Sequence, residues 1–239
     1  MEIRGERRCQ ACDTRWSYFE TGEVACPACG SLRSVGVADR ALHTDGPATL
    51  DVTAAKDRAT AGDLREAAAA AADAAGDYVR TRGFIDAGSL GPLEDKVLAA
   101  YELREVGRHL HRTLDIDEEA EYYFLTLLEA VPDGDRLPPA DVPKSLRTPR
   151  GLAVAAAVEA YLDDVNDWLG ARDADQPPAL DRVRGRVRDH HRRITALEGA
   201  VPSQDAERLV VATRALVAYA RSGDPEDIER ARTALDALA

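Results

Sequence analysis

Lysine, methionine and aromatic residues are scarce in this sequence, and long hydrophobic runs are absent. Lysine supplies only three of the 31 basic residues, methionine occurs once, and aromatic residues make up 5% of the chain. The longest runs of small apolar residues, REAAAAAADAAGDY and GLAVAAAVEAYLDD, are too short and too interrupted to span a bilayer. The N-terminal segment MEIRGERRC also lacks the apolar centre of a secretory signal. We therefore expect a soluble, cytoplasmic protein with no membrane partner.

Positive charge is also in short supply, since 31 basic side chains stand against 43 acidic ones and the formal net charge is −12. The averaged field of such a chain repels nucleic acid and anionic lipid, so either partner would need a local basic patch. An acidic, lysine-poor, alanine-rich composition looks like that of proteins from halophilic archaea, where molar salt screens charges within about 3 Å. A GC-rich genome, which favours arginine and alanine at any salt concentration, is the alternative explanation.

All four cysteines fall within one short stretch near the N-terminus and form two C-x2-C pairs, Cys9 with Cys12 and Cys26 with Cys29. When a hairpin brings two such pairs together, their four sulfur atoms can surround one Zn²⁺ or, less often, one iron ion. Disulfides are the weaker alternative in a reducing compartment. Four protein ligands leave no open position for a substrate, so the pattern predicts a structural metal site.

The residues around the cysteines fit a metal-binding hairpin. Gly30 follows the second pair and Asp13 the first, and both residue types tolerate the left-handed backbone conformation that turns N–H groups toward the sulfur atoms. We expect Trp16, Tyr18 and Phe19 to cover the metal side of the hairpin, with ETGE as its turn. A module of this size has too little core to fold alone, so metal binding must supply on the order of 10 kcal/mol or more.

The rest of the chain is predicted to be helical. Hydrophobic residues make up 45% of the sequence and charged residues 31%, which is typical of a folded protein. From residue 60 onward, apolar residues recur at helical spacing in six or seven segments, which cannot bury their apolar faces singly. We therefore predict a mainly α fold, divided into a small β zinc ribbon (1–37), a connector (38–59) and an irregular helical bundle (60–239).

Three local signals mark helix ends in that region. Thr148 before Pro149 indicates the start of a long helix, and Asp224 before Pro225 indicates the start of the last one. The segment DADQPPALD, residues 173–181, is predicted to separate two helices. A 34-residue repeat typical of tetratricopeptide arrays is not found.

The two cysteine pairs and the sequence CPACG resemble the zinc-ribbon superfamily, which includes the N-terminal ribbon of archaeal transcription factor B. The resemblance covers residues 1 to about 36. A ribbon followed by an alanine- and arginine-rich helical region also resembles uncharacterised haloarchaeal zinc-ribbon proteins. The resemblance implies a platform that binds either proteins or nucleic acids, and it implies nothing more specific.

Charge favours protein over nucleic acid as the partner of the ribbon. Residues 1–36 contain five basic and five acidic side chains, and four thiolates with Zn²⁺ would add a net negative charge. The only strongly basic segment is DRVRGRVRDHHRR, which we expect to be a solvated helix face paired with acids of neighbouring helices. A contact with RNA, DNA or an anionic ligand is the alternative for its six arginines, Arg182, Arg184, Arg186, Arg188, Arg192 and Arg193.

No catalytic residue is predicted. A C-x2-C pair joined to a helical bundle is also the plan of rubrerythrins, which are di-iron peroxidases, but their bundles require Glu-x-x-His on two helices. None of the five histidines has a glutamate three positions before it, and no G-x-S-x-G or glycine-rich phosphate loop is present. The leading hypothesis is a non-enzymatic zinc protein whose helical domain binds another protein. A nucleic-acid-associated or transcription-related factor is the alternative.

Overall fold

The computed structural model describes residues 2–172 and 176–238, and it confirms a mainly α fold with a small β region near the N-terminus. Residues 173–175, at the start of the predicted linker, lie outside the described part. Within the described part, none of the helices is both long and apolar enough to cross a membrane.

The β region consists of short antiparallel strands. Five of them lie near the N-terminus: β1 (Glu2–Arg4), β2 (Glu6–Cys9), β3 (Arg15–Ser17), β4 (Ser34–Gly36) and β5 (Arg40–Leu42). Strands β3, β2 and β4 form a sheet in that order, whereas β1 pairs with β5. In the second pair Arg4 lies directly opposite Arg40. A further hairpin joins β6 (Ile85–Asp86) to β7 (Ser89–Leu90).

The helices carry most of the described chain. They are α1 (Tyr18–Thr21), α2 (Thr53–Thr60), α3 (Leu64–Thr81), α4 (Asp95–Arg112), α5 (Glu118–Ala130), α6 (Arg147–Gly170), α7 (Pro178–Ala196), α8 (Ser203–Ser222) and α9 (Pro225–Asp236). Short 3₁₀ turns at Val131–Asp133, Pro139–Asp141 and Lys144–Leu146 lie between α5 and α6. Seven of these helices begin after residue 60, which confirms the number expected from the apolar spacing.

Helix ends follow the local sequence. The Asp224 side chain accepts a hydrogen bond from the backbone N–H of Glu226 and caps α9 as predicted, with Pro225 in the first turn. Gly223 ends α8 in the left-handed conformation, φ 72°. Helix α6 begins at Arg147, one residue before the predicted cap.

The chain divides into two compact units. The first comprises Met1–Thr49, Arg80–Pro92 and Tyr161–Asp173, and the second comprises Leu50–Val79, Leu93–Ala160 and Ala174–Ala239. The predicted division into ribbon, connector and bundle stays a prediction. Its connector does contain regular structure, because β5 lies within it and α2 begins within it. Strand β5 forms by pairing with β1, which the periodicity of a single sequence does not show.

In the second unit, small residues allow helices to approach closely. Helix α3 buries a row of alanines, and Gly107 of α4 lies against it: a Cβ at this position would be 2.5 Å from the carbonyl oxygen of Ala68. Helix α8 packs along α9 and also contacts α7. Burial of these apolar faces is the main favourable contribution to folding of the unit.

Candidate metal centre

The first unit brings the four cysteines together. The two that are farthest apart in the sequence, Cys9 and Cys29, are 20 positions apart. Their sulfur atoms all lie within 4.8 Å of one another. The measured Sγ–Sγ distances are 3.7 Å for Cys9 and Cys29, 3.6 Å for Cys12 and Cys26, and 3.4 Å for Cys12 and Cys29. Each pair contributes one buried and one exposed cysteine. The predicted clustering of the sulfur atoms is therefore found.

The two C-x2-C segments have the same backbone geometry. In the first, the N–H of Asp13 donates to the carbonyl of Cys9 at 3.1 Å, and Asp13 has φ 58°. In the second, the N–H of Gly30 donates to the carbonyl of Cys26 at 2.8 Å, and Gly30 has φ 69°. Both left-handed positions agree with the expectation from the sequence, because aspartate and glycine tolerate this conformation better than most residues.

Two further hydrogen bonds reach the sulfur atoms. The N–H of Ala11 donates to Cys9 Sγ at 3.3 Å, and the Thr14 hydroxyl lies 3.2 Å from Cys12 Sγ. The bond with Thr14 lowers the pKa of the Cys12 thiol to about 6. At Cys29 a backbone hydrogen bond from Ser31 lowers the pKa, but the neighbouring thiols, Cys12 first, outweigh it and raise the value to about 12.

Trp16 covers the buried side of the cysteine cluster. It forms a small core with Cys9 and Cys26, and its indole N–H donates to the carbonyl of Glu23 at 2.9 Å. The Phe19 ring packs over Gly5, and its centroid lies 4.3 Å from that of the His43 ring. The expectation that Phe19 and Tyr18 also cover the cluster stays a prediction.

The donor set fits a tetrahedral metal ion. A metal–sulfur bond of about 2.3 Å implies tetrahedron edges of about 3.8 Å, close to the observed sulfur separations. Thiolate sulfur binds Zn²⁺ and iron well and the hard cations Mg²⁺ and Ca²⁺ poorly. Among the described residues, no other group of three or more His, Cys, Asp or Glu side chains is arranged to hold a metal.

The six predicted anion-contacting arginines, Arg182, Arg184, Arg186, Arg188, Arg192 and Arg193, all lie on α7. Several are paired with acids: Arg184 with Asp181 and Arg192 with Asp189 on the same helix, and Arg186 with Asp236 of α9 at 2.6 Å. Of these three pairs, the one with Asp236 reaches a neighbouring helix, as expected from the sequence, whereas the other two lie within α7. Contact of these arginines with an anion stays a prediction.

A buried polar cluster in the second unit has no counterpart in the sequence analysis. Arg150 Nη1 lies 2.7 Å from Glu102 Oε1, and both side chains are buried. The Tyr123 hydroxyl donates to Glu102 and accepts from Arg150 at 2.9 Å. Burial and the charge of Glu102 raise the pKa of Tyr123. These residues come from α4, α5 and α6, so no local signal in the sequence indicated that they meet.

The fold and the cysteine cluster together define a mainly α-helical protein with a four-cysteine group near its N-terminus that could hold a metal ion. The chain belongs to the family of unknown function DUF7117, whose model matches residues 1–235. That match covers the cysteine region and reaches into α9. No curated protein and no solved structure matches the chain.

Proposed function

We propose that Cys9, Cys12, Cys26 and Cys29 hold one structural Zn²⁺ and that the protein is a non-enzymatic zinc protein. The observation that carries the proposal is the mutual approach of four sulfur atoms within 4.8 Å. Four thiols held this closely without a shared cation would repel one another as thiolates, whereas a divalent ion stabilises all four. With four protein ligands, no coordination position is open for a substrate, which supports a structural role.

Sparse local packing supports a role for the metal in folding. Apart from Cys9, Trp16 and Cys26, residues 2–37 contain no buried large apolar side chain. When bound, the metal cross-links two segments of the chain and supplies the free energy that this small core does not. The ordering of β2, β3 and the two cysteine turns would then depend on metal occupancy.

Metal analysis of the purified protein tests the first part. We expect one zinc per chain and no visible absorption, whereas an iron site would be coloured. Trp16 reports locally on the site, so the Trp168→Phe variant, which leaves Trp16 as the single tryptophan, allows fluorescence to follow chelation. An unchanged Trp16 emission after complete metal removal would refute the structural role.

We further propose that the helical part binds another protein. Two large apolar side chains of the second unit are well exposed, Leu114 at 89% and Tyr122 at 74%. Tyr122 borders a cavity of about 490 Å³ together with Leu137, Val142 and Pro143. An exposed aromatic residue beside an apolar depression is typical of a protein-binding surface.

A photoreactive amino acid at position 122 tests this surface in the native host. We expect a discrete cross-linked partner that is lost when Leu137 at the cavity is replaced by aspartate. The same photoreactive group at exposed Arg192 on α7 is the matched control and should not capture that partner. Equal capture from both positions would argue against a binding surface at Tyr122.

A further inference from the structure

A second candidate site lies in the first unit, and none of the four cysteines lines it. A cavity of about 350 Å³ is lined by three arginines, Arg4, Arg7 and Arg40, together with Tyr18 and Val24. The arginines come from three different strands, β1, β2 and β5. Glu2 is the one acidic residue among the lining side chains.

The three arginines give the cavity an excess of positive charge over its single acid, Glu2. In the described part of the chain none of them forms a salt bridge, whereas the nearby Glu6 is paired with Arg15 at 3.2 Å. This contrasts with the net charge of −12 for the whole protein. The equal numbers of bases and acids in residues 1–36 therefore conceal a local excess of positive charge at this cavity.

Strand register adds a specific repulsion. Arg4 of β1 lies directly opposite Arg40 of β5 in an antiparallel pair. Like charges at opposed positions of a sheet destabilise it, and a nearby negative charge removes that penalty. An anion between the two guanidinium groups would therefore stabilise the β1–β5 pair.

Neutral contacts hold two of the three arginines, Arg4 and Arg7, in place. Arg7 donates from Nε to the Ser34 hydroxyl at 3.1 Å, and Arg4 donates from Nη1 to the carbonyl of Ala38 at 2.6 Å. Gly36 makes room for Arg4, because a Cβ at position 36 would lie 2.6 Å from Arg4 Cβ. These contacts orient the guanidinium groups of Arg4 and Arg7 without neutralising them, which preorganises this part of the site for an anion.

We propose that this cavity binds the phosphate of a nucleotide, either as a free mononucleotide or as part of a single strand. Arginine binds phosphate through two N–H groups at once, and three arginines match the several oxygens of one phosphate. A cavity of about 350 Å³ lies within the size range of small-molecule sites and exceeds what phosphate alone would fill. Tyr18 supplies an aromatic face for a base, and Ile3 and Val24 supply apolar contact. The proposal goes beyond the metal site and does not depend on the identity of the metal.

Equilibrium titration of the full metal-loaded chain tests the proposal, at the lowest salt concentration that preserves its circular dichroism. The probes are inorganic phosphate, AMP and a short single-stranded oligonucleotide. We expect AMP to bind more tightly than phosphate, and added salt to weaken both. Tighter binding of the oligonucleotide than of AMP would identify a strand as the source of the phosphate, and the reverse order would identify a free nucleotide.

Charge reversal at position 40 separates lost binding from lost folding. Arg40→Glu places an acid opposite Arg4, so the variant should retain metal and unfold no more easily than the wild type while its AMP affinity falls about tenfold or more. Arg4→Ala should weaken binding similarly. Arg8→Ala, an arginine of β2 outside the cavity lining, is the matched control and should bind AMP within about twofold of wild type.

Three results would overturn the proposal. They are absence of AMP binding at millimolar concentration, equal affinity for AMP and inorganic phosphate, and AMP affinity that is unchanged in Arg40→Glu. None of these results bears on the zinc content, so failure of this proposal and failure of the metal assignment are distinguishable.

Discussion

The sulfur atoms of Cys12 and Cys29 lie 3.4 Å apart although 17 positions separate the two residues. Both cysteines are exposed, whereas their partners Cys9 and Cys26 are buried beside Trp16. Cys12 and Cys29 therefore contribute sulfur atoms from the exposed side of the cluster. Cys9 and Cys26 contribute sulfur atoms and also belong to the small core. This asymmetry leads to different expectations for the two kinds of cysteine.

Replacing any of the four cysteines by serine should weaken metal binding by about a hundredfold or more, because one of the four thiolate ligands is lost. Cys26→Ser should also lower the melting temperature more than Cys12→Ser, because it places a hydroxyl in the small core with Trp16. Competition with a chelator and thermal unfolding measure the two effects. Ser31→Ala leaves all four sulfur atoms and is the control; equal melting temperatures for the two serine variants would contradict the asymmetry.

Thr14→Val removes the hydroxyl 3.2 Å from Cys12 Sγ while keeping the shape of the side chain. Because hydrogen bonds to a metal ligand stabilise its thiolate, we expect metal affinity to fall about tenfold. Thr21→Val is the matched control, since its hydroxyl donates to the carbonyl of Ser17 instead of a sulfur atom. Chelator competition should show no change for the control, and an equal loss in both variants would count against the role of Thr14.

Arg150→Met should destabilise the protein by about 3–5 kcal/mol, because the buried carboxylate of Glu102 loses its ion pair at 2.7 Å and keeps only the longer one with Arg136, at 3.8 Å. The Glu102→Gln/Arg150→Met double variant should recover part of that loss, since it also removes the buried negative charge of Glu102. Urea unfolding measures both free energies. Arg192→Ala, which breaks an exposed pair with Asp189, should cost less than about 1 kcal/mol.

Gly107→Ala should destabilise the second unit by about 1–3 kcal/mol, because the new methyl group would meet the carbonyl of Ala68 in α3. Gly185 of α7 offers a matched helical control with no atom within 4 Å of an added Cβ. Gly185→Ala should therefore stabilise the protein by about 0.5–1 kcal/mol through better helix propensity. The same sign for both variants in urea unfolding would contradict the close approach of α3 and α4.

The free energy of unfolding should fall as the pH drops below about 6.5, the ordinary pKa of histidine. Burial lowers the pKa of His43, His109 and His190, so the unfolded chain binds protons more readily than the folded one in this range. The contribution of these three histidines to the free energy of unfolding is complete above pH 6.5 and decreases as the pH falls below that value. His109→Gln should reduce the difference in unfolding free energy between pH 7.5 and pH 5.5, and an unaltered difference would contradict the effect of burial.

Local sequence signals predicted much of the fold. Asp224 and Gly223 mark helix ends because a cap depends on the few residues around it. The strand β5 was missed, because three residues with little periodicity form a strand only when β1 lies beside them. The short helix α1 was also missed, since a four-residue helix after β3 could not be inferred from spacing.

The sequence by itself determined the two C-x2-C turns and the helical character of the chain, because both depend on spacing within one or two turns of backbone. Each C-x2-C pair with its left-handed residue is a local structure, and each helix repeats its apolar positions at the helical period. Only the tertiary structure decided which charges meet. Arg4 faces Arg40 through strand register, and Arg150 reaches Glu102 through helix packing, so both relationships depend on contacts between segments that are distant in the sequence.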